Sequence, residues 1–297
     1  MKKRILVIGG TGMLGQPTSC CLKEAGFQVR ILTRDIQKAR DKFDSSFEIV
    51  SGDPMDTRCL GSAIFGCDGV HISLPTEVEQ QVAEAVAKLA PRQGVERITY
   101  ISGATVAKQN RWFPMVNRKY LAEKALREAG VPYTFLCPTW VMEGLPMFVN
   151  QGRAAVFGKQ PIPYHWVAAD DIARMVSTTY GIGGEANGRF IVHGPEVILM
   201  REALRRYCAV FHPEIKQVTS MPFWLVKLLA AVTGNHGLKG AGELLSYFEK
   251  VGEGNQKPRE NCVLGMPAMT LDRWLQERKA IDDRYRTGKI DLHLVTA

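Results

Sequence analysis

Short, unbroken aliphatic runs recur along the first half of the chain, separated by longer segments in which apolar residues return every three or four positions. Ile5 to Ile8 is the first run, and the segment from Leu14 to Ala25 after it has helical composition. FQVRILT (27–33), FEIV (47–50), GVHIS (69–73), RITYIS (97–102) and PYTFLC (132–137) follow. A strand that reads apolar at every position is covered on both faces, and strands that alternate with helices specify a parallel, doubly wound sheet. Six strands are accounted for by about residue 137. Between them, TEVEQQVAEAVAKLA (76–90) spaces Thr76 and Glu79 as a capping box and sets Val78, Val82, Val86 and Leu89 on one face. VNRKYLAEKALREAG (116–130) ends on Gly130, as a helix terminus does.

Beyond Pro138 the rhythm changes to Gly and Pro clusters, then a helix from about Asp170, a strand at GRFIVHG (188–194) and three or four further helices. The expected fold is α/β, a Rossmann-type doubly wound parallel sheet with a smaller, mostly helical C-terminal lobe. The expected division is 1–145 for the nucleotide-binding domain and 146–297 for a substrate or partner lobe, with elements of 165–195 packing back on the sheet. MPFWLVKLLAAVTG (221–234) is apolar on most faces. A core helix of the second lobe is the default expectation, and an interfacial or partner-binding helix through 222–232 is the sharper one. The run is shorter than the roughly 20 residues of a spanning helix. The tail DDRYRTGKIDLHLVTA (282–297) reads equally as a frayed end or a docking segment.

Length and composition narrow the function classes. The 297 residues are 45% hydrophobic, enough for a large core, and 38 Lys and Arg against 30 Asp and Glu give a net charge of +8. That bias favours anionic ligands or surfaces, but no run of five basic residues occurs, so no nucleic-acid arm is expected. Seven cysteines without CxxC spacing argue against a zinc site or a disulfide framework, so no metal is expected, and a reducing cytoplasm is the expected compartment. MKKRILVIGG has too short an apolar part for a signal peptide and reads as a first strand.

The chemistry lies in RILVIGGTGMLGQP (4–17). Gly9, Gly12 and Gly15 satisfy GxxGxxG, while Gly10, Gly12 and Gly15 satisfy GxGxxG, with Thr11, Met13 and Leu14 completing the turn. Such glycines provide a sharp turn off the strand, backbone able to touch a pyrophosphate, and close helix packing, with the phosphates resting on the helix N-terminus. No GK[ST] follows, which excludes a Walker loop. The second strand then ends in Thr33 and Arg34 rather than an acid, and Lys38 lies one helical turn further on. Two cations at this place favour NADP(H) over NAD(H). Asp35 stands near the spacing of a ribose-binding acid, but by strand register it is expected to cap the next helix.

These features, with LTRD (32–35), GDPMD (52–56), KYLAEKALREAGVPYTFLCPTWVME (119–143) and WVAADDIARM (166–175), resemble the atypical short-chain dehydrogenase/reductases, specifically the NmrA-like NAD(P)-binding group, over about residues 1–195. The resemblance implies that Gly9 to Gly15 contact the pyrophosphate, Arg34 the adenosine ribose phosphate and Asp53 the adenine edge. Ser73, Leu74 and Pro75 would line the groove. Ser102 and Gly103 would lie near the nicotinamide, Lys119 at its ribose, and Pro138, Thr139 and Trp140 on the substrate side.

The departures bear on catalysis. Orthodox members carry a YxxxK pair, whereas Met115 stands four residues before Lys119, and Gly103 replaces the assisting serine beside Ser102. Tyr120 is rotated about 100° around the helix from Lys119. Lys119 therefore has three readings: a ribose ligand, the lone polar group beside substrate as in isoflavone-reductase-like relatives, or a surface lysine paired with Glu123. Asp170 and Asp171 are expected at a helix N-cap. His71 and His165 are expected to be packed, with His165 able to face a cleft, and Met142, Met147 and Phe148 to be core or cleft wall. Three functions fit: an NADPH-dependent oxidoreductase acting on a quinone, enone or carbonyl, a non-catalytic NADP(H) sensor, or an accessory factor of a membrane electron-transfer complex.

Overall fold

The computed structural model describes residues 2–254, 257–259 and 262–286. The closing stretch of the tail, 287–297, lies outside the described residues. Seven parallel strands form the main sheet: β1 (Arg4–Ile8), β2 (Gln28–Thr33), β3 (Glu48–Ser51), β4 (Gly69–Ile72), β5 (Arg97–Ile101), β6 (Tyr133–Pro138) and, much later, β11 (Gly188–Val192). Their order is β11-β6-β5-β4-β1-β2-β3, so the strand order reverses between β1 and β4. The sheet is clad by α1 (Gly15–Glu24), α2 (Ile36–Arg40), α3 (Thr57–Ile64), α4 (Glu79–Leu89), α5 (Pro114–Glu128) and α6 (Ala169–Gly181).

The aliphatic runs are unbroken because both faces of the sheet are covered. Leu6 and Ile8 of β1 belong to the core shared with α3, α4 and α5, while Ile5 and Val7 belong to the opposite core, where Leu22 of α1 and Met175 of α6 pack. All four are fully buried. At roughly 25 cal/mol per Å² of buried apolar surface, each such side chain contributes about 1.5–3 kcal/mol.

A third core holds the C-terminal part together. Trp166, Tyr164, Met142, Leu204, Leu245, Phe248 and Trp274 form its centre. The elements around it are β7 (Trp140–Val141), β8 (Val149–Asn150), β9 (Arg153–Phe157), β10 (Pro163–Val167), β12 (Glu196–Leu199), α7 (Met200–Phe211), β13 (Val218–Met221), α8 (Phe223–Thr233), α9 (His236–Val251), α10 (Leu271–Arg286) and the short turns between them. The two small sheets run β12-β10-β7 and β13-β9-β8.

Three local expectations are corrected. Glu79 does not close a capping box with Thr76: α4 is capped by Val78 without a side-chain bond, and Glu79 is fully buried beneath the helix. Its carboxylate is drawn inward by a phenol and an ammonium described below, an attraction that outweighs a solvent-exposed cap. Asp170 and Asp171 lie in the first turn of α6, after an N-cap at Ala168. Asp171 instead pairs with Arg174 at 3.0 Å and accepts from the amides of Ala268 and Met269, both at 2.9 Å, which ties the far end of the chain to the sheet. Finally, α8 is not a core helix. Only Val226 and Ala230 are buried, while Trp224, Leu228 and Val232 face outward at 67%, 52% and 77% exposure.

His71 is buried in β4 with Nδ1 2.7 Å from Thr99 Oγ1, and Thr99 in turn meets the Tyr180 hydroxyl at 2.8 Å. Burial pushes its pKa down from 6.5 to about 3. The fold therefore holds the neutral ring, and the unfolded chain takes up a proton that the native state refuses below pH 6.5. Stability is full above that value and falls as pH drops toward 3. Between pH 7 and pH 5 this group alone removes about 2 kcal/mol. Urea unfolding at the two pH values is expected to show that loss in the wild type and to lose most of it in His71→Val.

Candidate dinucleotide site

The glycine turn leaves the carboxyl end of β1 at the point where the strand order reverses, the place where open α/β sheets bind ligands. Gly9 has φ +89°, and a Cβ there would lie 1.9 Å from the carbonyl oxygen of Ser73. A Cβ on Gly15 would lie 2.0 Å from the carbonyl oxygen of Gly9. The turn, the first residue of α1 and the end of β4 thus touch backbone to backbone. Ser73 donates its amide to Ile8 at 3.0 Å, and Leu74 closes over Gly9. Gly12 donates to Gly9 at 3.0 Å, but the amides of Thr11, Met13 and Leu14 donate to no acceptor among the described residues. Leu14 caps α1 without a side-chain bond, leaving the positive end of the helix open. The result is a cradle of unspent donors at a solvent-facing rim.

At the end of β2, Arg34 is exposed, and among the described residues its guanidinium has no partner. Lys38 is likewise exposed on α2. Asp35 is engaged as the α2 cap, accepting from the Lys38 amide at 2.9 Å, and Thr33 Oγ1 accepts from the Asp35 amide at 3.1 Å. Lys42 is a cation that sequence reasoning missed: it reaches back to Gln16 on α1, and burial and then the Lys38 charge lower its pKa. Asp53 stands beside them in an exposed turn, its carboxylate accepting from the Met55 amide at 2.9 Å. The amide of Gly52 before it donates to Thr33 at 2.9 Å.

On the other side of the reversal point, two buried acids, Glu79 and Glu123, which the sequence placed in other roles, organise the polar groups. Lys119, 14% exposed, lies 2.7 Å from Glu79 and donates to the Ile101 carbonyl at 3.2 Å. Its pairing with Glu123 is thereby corrected. The Tyr100 hydroxyl donates to the same Glu79 oxygen at 2.9 Å, and burial followed by the Glu79 charge pushes the phenol well above its usual pKa. Glu123 is held by Arg189 at 3.2 Å and accepts the hydroxyl of Ser102. Arg189 also donates to the Gly103 carbonyl at 2.6 Å. Met115 occupies the tyrosine place of YxxxK, and Tyr120 packs into the third core under Arg111, 4.7 Å from its ring centre. The hydroxyls of Tyr100 and Ser102 are thus both spent on buried carboxylates.

Pro138 accepts from the Ala104 amide at 3.0 Å at the end of β6. Thr139 Oγ1 and Trp140 Nε1 follow, buried and without hydrogen-bond partners among the described residues. The Trp140 ring sits among Phe148, Tyr164, Trp166 and Phe248 at centroid distances of 5.0 to 6.3 Å. Met142 is fully buried in that core and lines no cleft, whereas Met147 is exposed.

Elsewhere, His165 stacks on His193 at 4.1 Å with the rings 7° from parallel, and its Nδ1 lies 2.6 Å from Glu253. Ligating atoms of the three residues lie within 4.8 Å of one another. Parallel rings point their in-plane lone pairs side by side instead of at a common centre, so the cluster is a clamp on the segment after α9 and not coordination geometry. A cavity of about 330 Å³ lined by Asp68, Arg97 and Tyr180 opens at the amino ends of the strands, away from the glycine turn. Burial pushes the Cys20 thiol up to about 11 and raises that of Cys21, which keeps both protonated.

A seven-stranded parallel sheet with a glycine-rich turn at its reversal point defines the Rossmann class of α/β proteins. The model of the NmrA-like family matches residues 1–211. The chain belongs to that family. It is 28% identical to the NAD(P)H azoreductase of Xenophilus azovorans over 200 residues, 65% of this chain and 69% of that protein. It is 31% identical to the (4-alkanoyl-5-oxo-2,5-dihydrofuran-3-yl)methyl phosphate reductase of Streptomyces griseus subsp. griseus over 206 residues, 67% of this chain and 70% of the other. The fold is similar to that of Citrobacter sp. triphenylmethane reductase complexed with NADP(H), with a TM-score of 0.74 at 21% identity, covering 92% of this chain and 99% of that one. Among the described residues no helix is long and apolar enough to cross a membrane.

The backbone contacts generate a graded expectation. Gly9→Ala and Gly15→Ala each force main chain apart and are expected to cost about 3 kcal/mol or more. Gly26→Ala shares the positive φ at +90° but meets nothing within 4 Å, and is expected to cost only about 1 kcal/mol. Denaturant titration of the three variants checks the ranking.

Proposed function

We propose that the protein is an NADPH-dependent reductase of small acceptors with a polarised double bond, of the quinone or enone kind. The observation that carries this reading is the cradle: free amides at Thr11, Met13 and Leu14 face an open helix end, with the unpaired Arg34 and the exposed Lys38 beside it. Amides and helix end suit a pyrophosphate, and the cations suit a 2′-phosphate. Names of the relatives support the choice of chemistry, two being reductases.

A dinucleotide held there would supply a hydride from C4 of its nicotinamide, and the matching proton would come to the acceptor from solvent. The residues hold and exclude; they do not relay protons. Glu79 fixes Lys119 against the Ile101 carbonyl at the end of β5, where its ammonium is in place for ribose hydroxyls. Glu123 withdraws the Ser102 hydroxyl. Thr139 Oγ1, buried without a hydrogen-bond partner among the described residues, is a spare donor for an acceptor oxygen. A ketone needs an acid at its oxygen as hydride arrives, whereas a quinone or enone delocalises the charge and waits for water. Positioning then supplies most of the rate.

Oxidation of NADPH and NADH is followed at 340 nm with a panel of quinones and enones. Turnover is expected with NADPH, and Arg34→Ala is expected to raise KM for NADPH about tenfold while leaving that for NADH unchanged. Equal losses for both would remove Arg34 from the phosphate site. Tight NADPH binding with no turnover on any acceptor would favour the sensor reading, in which the missing tyrosine is the telling feature.

A further inference from the structure

The helix α8 carries an apolar face that is left exposed among the described residues. Its inward side, Val226 and Ala230, packs against α9, where a Cβ on Gly242 would lie 2.8 Å from Val226 Cγ1. Trp224, Leu228 and Val232 repeat every four residues on the opposite side, with Leu229 next to them, also exposed. A helix that is apolar all round belongs in an interior, yet this one stands at the surface. The end of α8, the α8–α9 turn and the start of α9, from Ala231 to Gly237, are exposed at every residue.

Charge indicates what covers this face. Between Glu214 and Glu243 the chain has no acidic residue, while Lys216, Lys227 and Lys239 are all exposed there. Lys227 borders the apolar stripe on α8, and Lys239 follows in the first turn of α9. A tryptophan and leucines on one face, bordered by Lys227 and carried on a stretch of chain without acidic residues, match a surface with acyl chains beneath anionic headgroups. The chain as a whole, at +8, is drawn the same way. A protein partner would need its own apolar patch with acids around it, and a second copy of this chain would bring lysines against lysines.

We infer that α8 and the α8–α9 turn form an interfacial anchor that lays the Trp224, Leu228 and Val232 stripe into the headgroup region of an anionic lipid bilayer. The helix lies in the plane of the surface and crosses nothing. Association is reversible, because three apolar side chains and three lysines bind far more weakly than a spanning helix. The carboxyl ends of the main sheet remain outside the anchor, so cofactor binding is independent of it.

The test uses the full chain with vesicles of phosphatidylcholine alone or mixed equally with phosphatidylglycerol. Co-sedimentation is expected with the mixed vesicles, weakened by added salt and absent on phosphatidylcholine. The triple variant Trp224→Ser, Leu228→Ser, Val232→Ser and the double variant Lys227→Glu, Lys239→Glu are each expected to lose about tenfold or more in vesicle affinity. Both sets are exposed, so thermal unfolding and NADPH titration serve as folding controls and are expected to match the wild type. Failure to bind the mixed vesicles, or binding that survives the triple substitution, overturns the inference. Wild-type dimers in sedimentation velocity that become monomers in the triple variant overturn it too, assigning the face to a second copy. None of these outcomes bears on whether the glycine turn holds NADPH.

Discussion

The direct contact of three pieces of main chain at Gly9, Gly15 and Ser73 is the constraint from which the rest of the molecule is arranged. With no side chain between them, β1, β4 and α1 are locked at fixed separation, and the start of α1 is held at the mouth of the sheet with its amides unspent. Arg34, Asp53 and Ser73 fall around that mouth because parallel strands deliver their carboxyl ends to one edge. A substitution here disturbs the register of two strands and a helix at once, which a substitution on a single element does not.

Across the reversal point a pair of buried carboxylates stands where a proton relay stands in orthodox short-chain enzymes. Glu79 collects Tyr100 and Lys119, and Glu123 collects Ser102 and Arg189. Buried charges of this kind persist only when each is met by opposite charge and hydrogen bonds, and removal of one partner strands the other. The network is therefore rigid. It holds a lysine in place and ties a serine back, arrangements suited to positioning and poorly suited to passing protons.

Much of this was legible in the chain and some was not, for physical reasons. The first six strands stood out because coverage on both faces leaves an uninterrupted apolar run, and Asp35 was readable as a cap because its partner amide is three residues away. Glu79 misled because its spacing from Thr76 suits a cap, while the groups that draw it inward, at 100 and 119, are distant in sequence. Glu123 was read against Lys119 one turn away; its partners are Ser102, Arg189 and, one turn on, Arg127. The aromatic packing of Trp140 and the His165, His193 and Glu253 clamp depend on segments that meet only in the folded molecule. Helix α8 was visible as unusually apolar, but periodicity cannot say which of two apolar sides is covered when both qualify.

The bonds from Asp171 to the amides of Ala268 and Met269 span 97 and 98 residues. During synthesis the first six strands and their helices can assemble as they emerge, since their contacts are mostly between sequential neighbours. The carboxylate at the start of α6 can meet Arg174 as soon as its helix forms, but its bonds to those two amides must wait until the ribosome has released nearly a hundred further residues. The cladding of the main sheet is thus completed late, where a mid-chain helix and the C-terminal segment are fastened together.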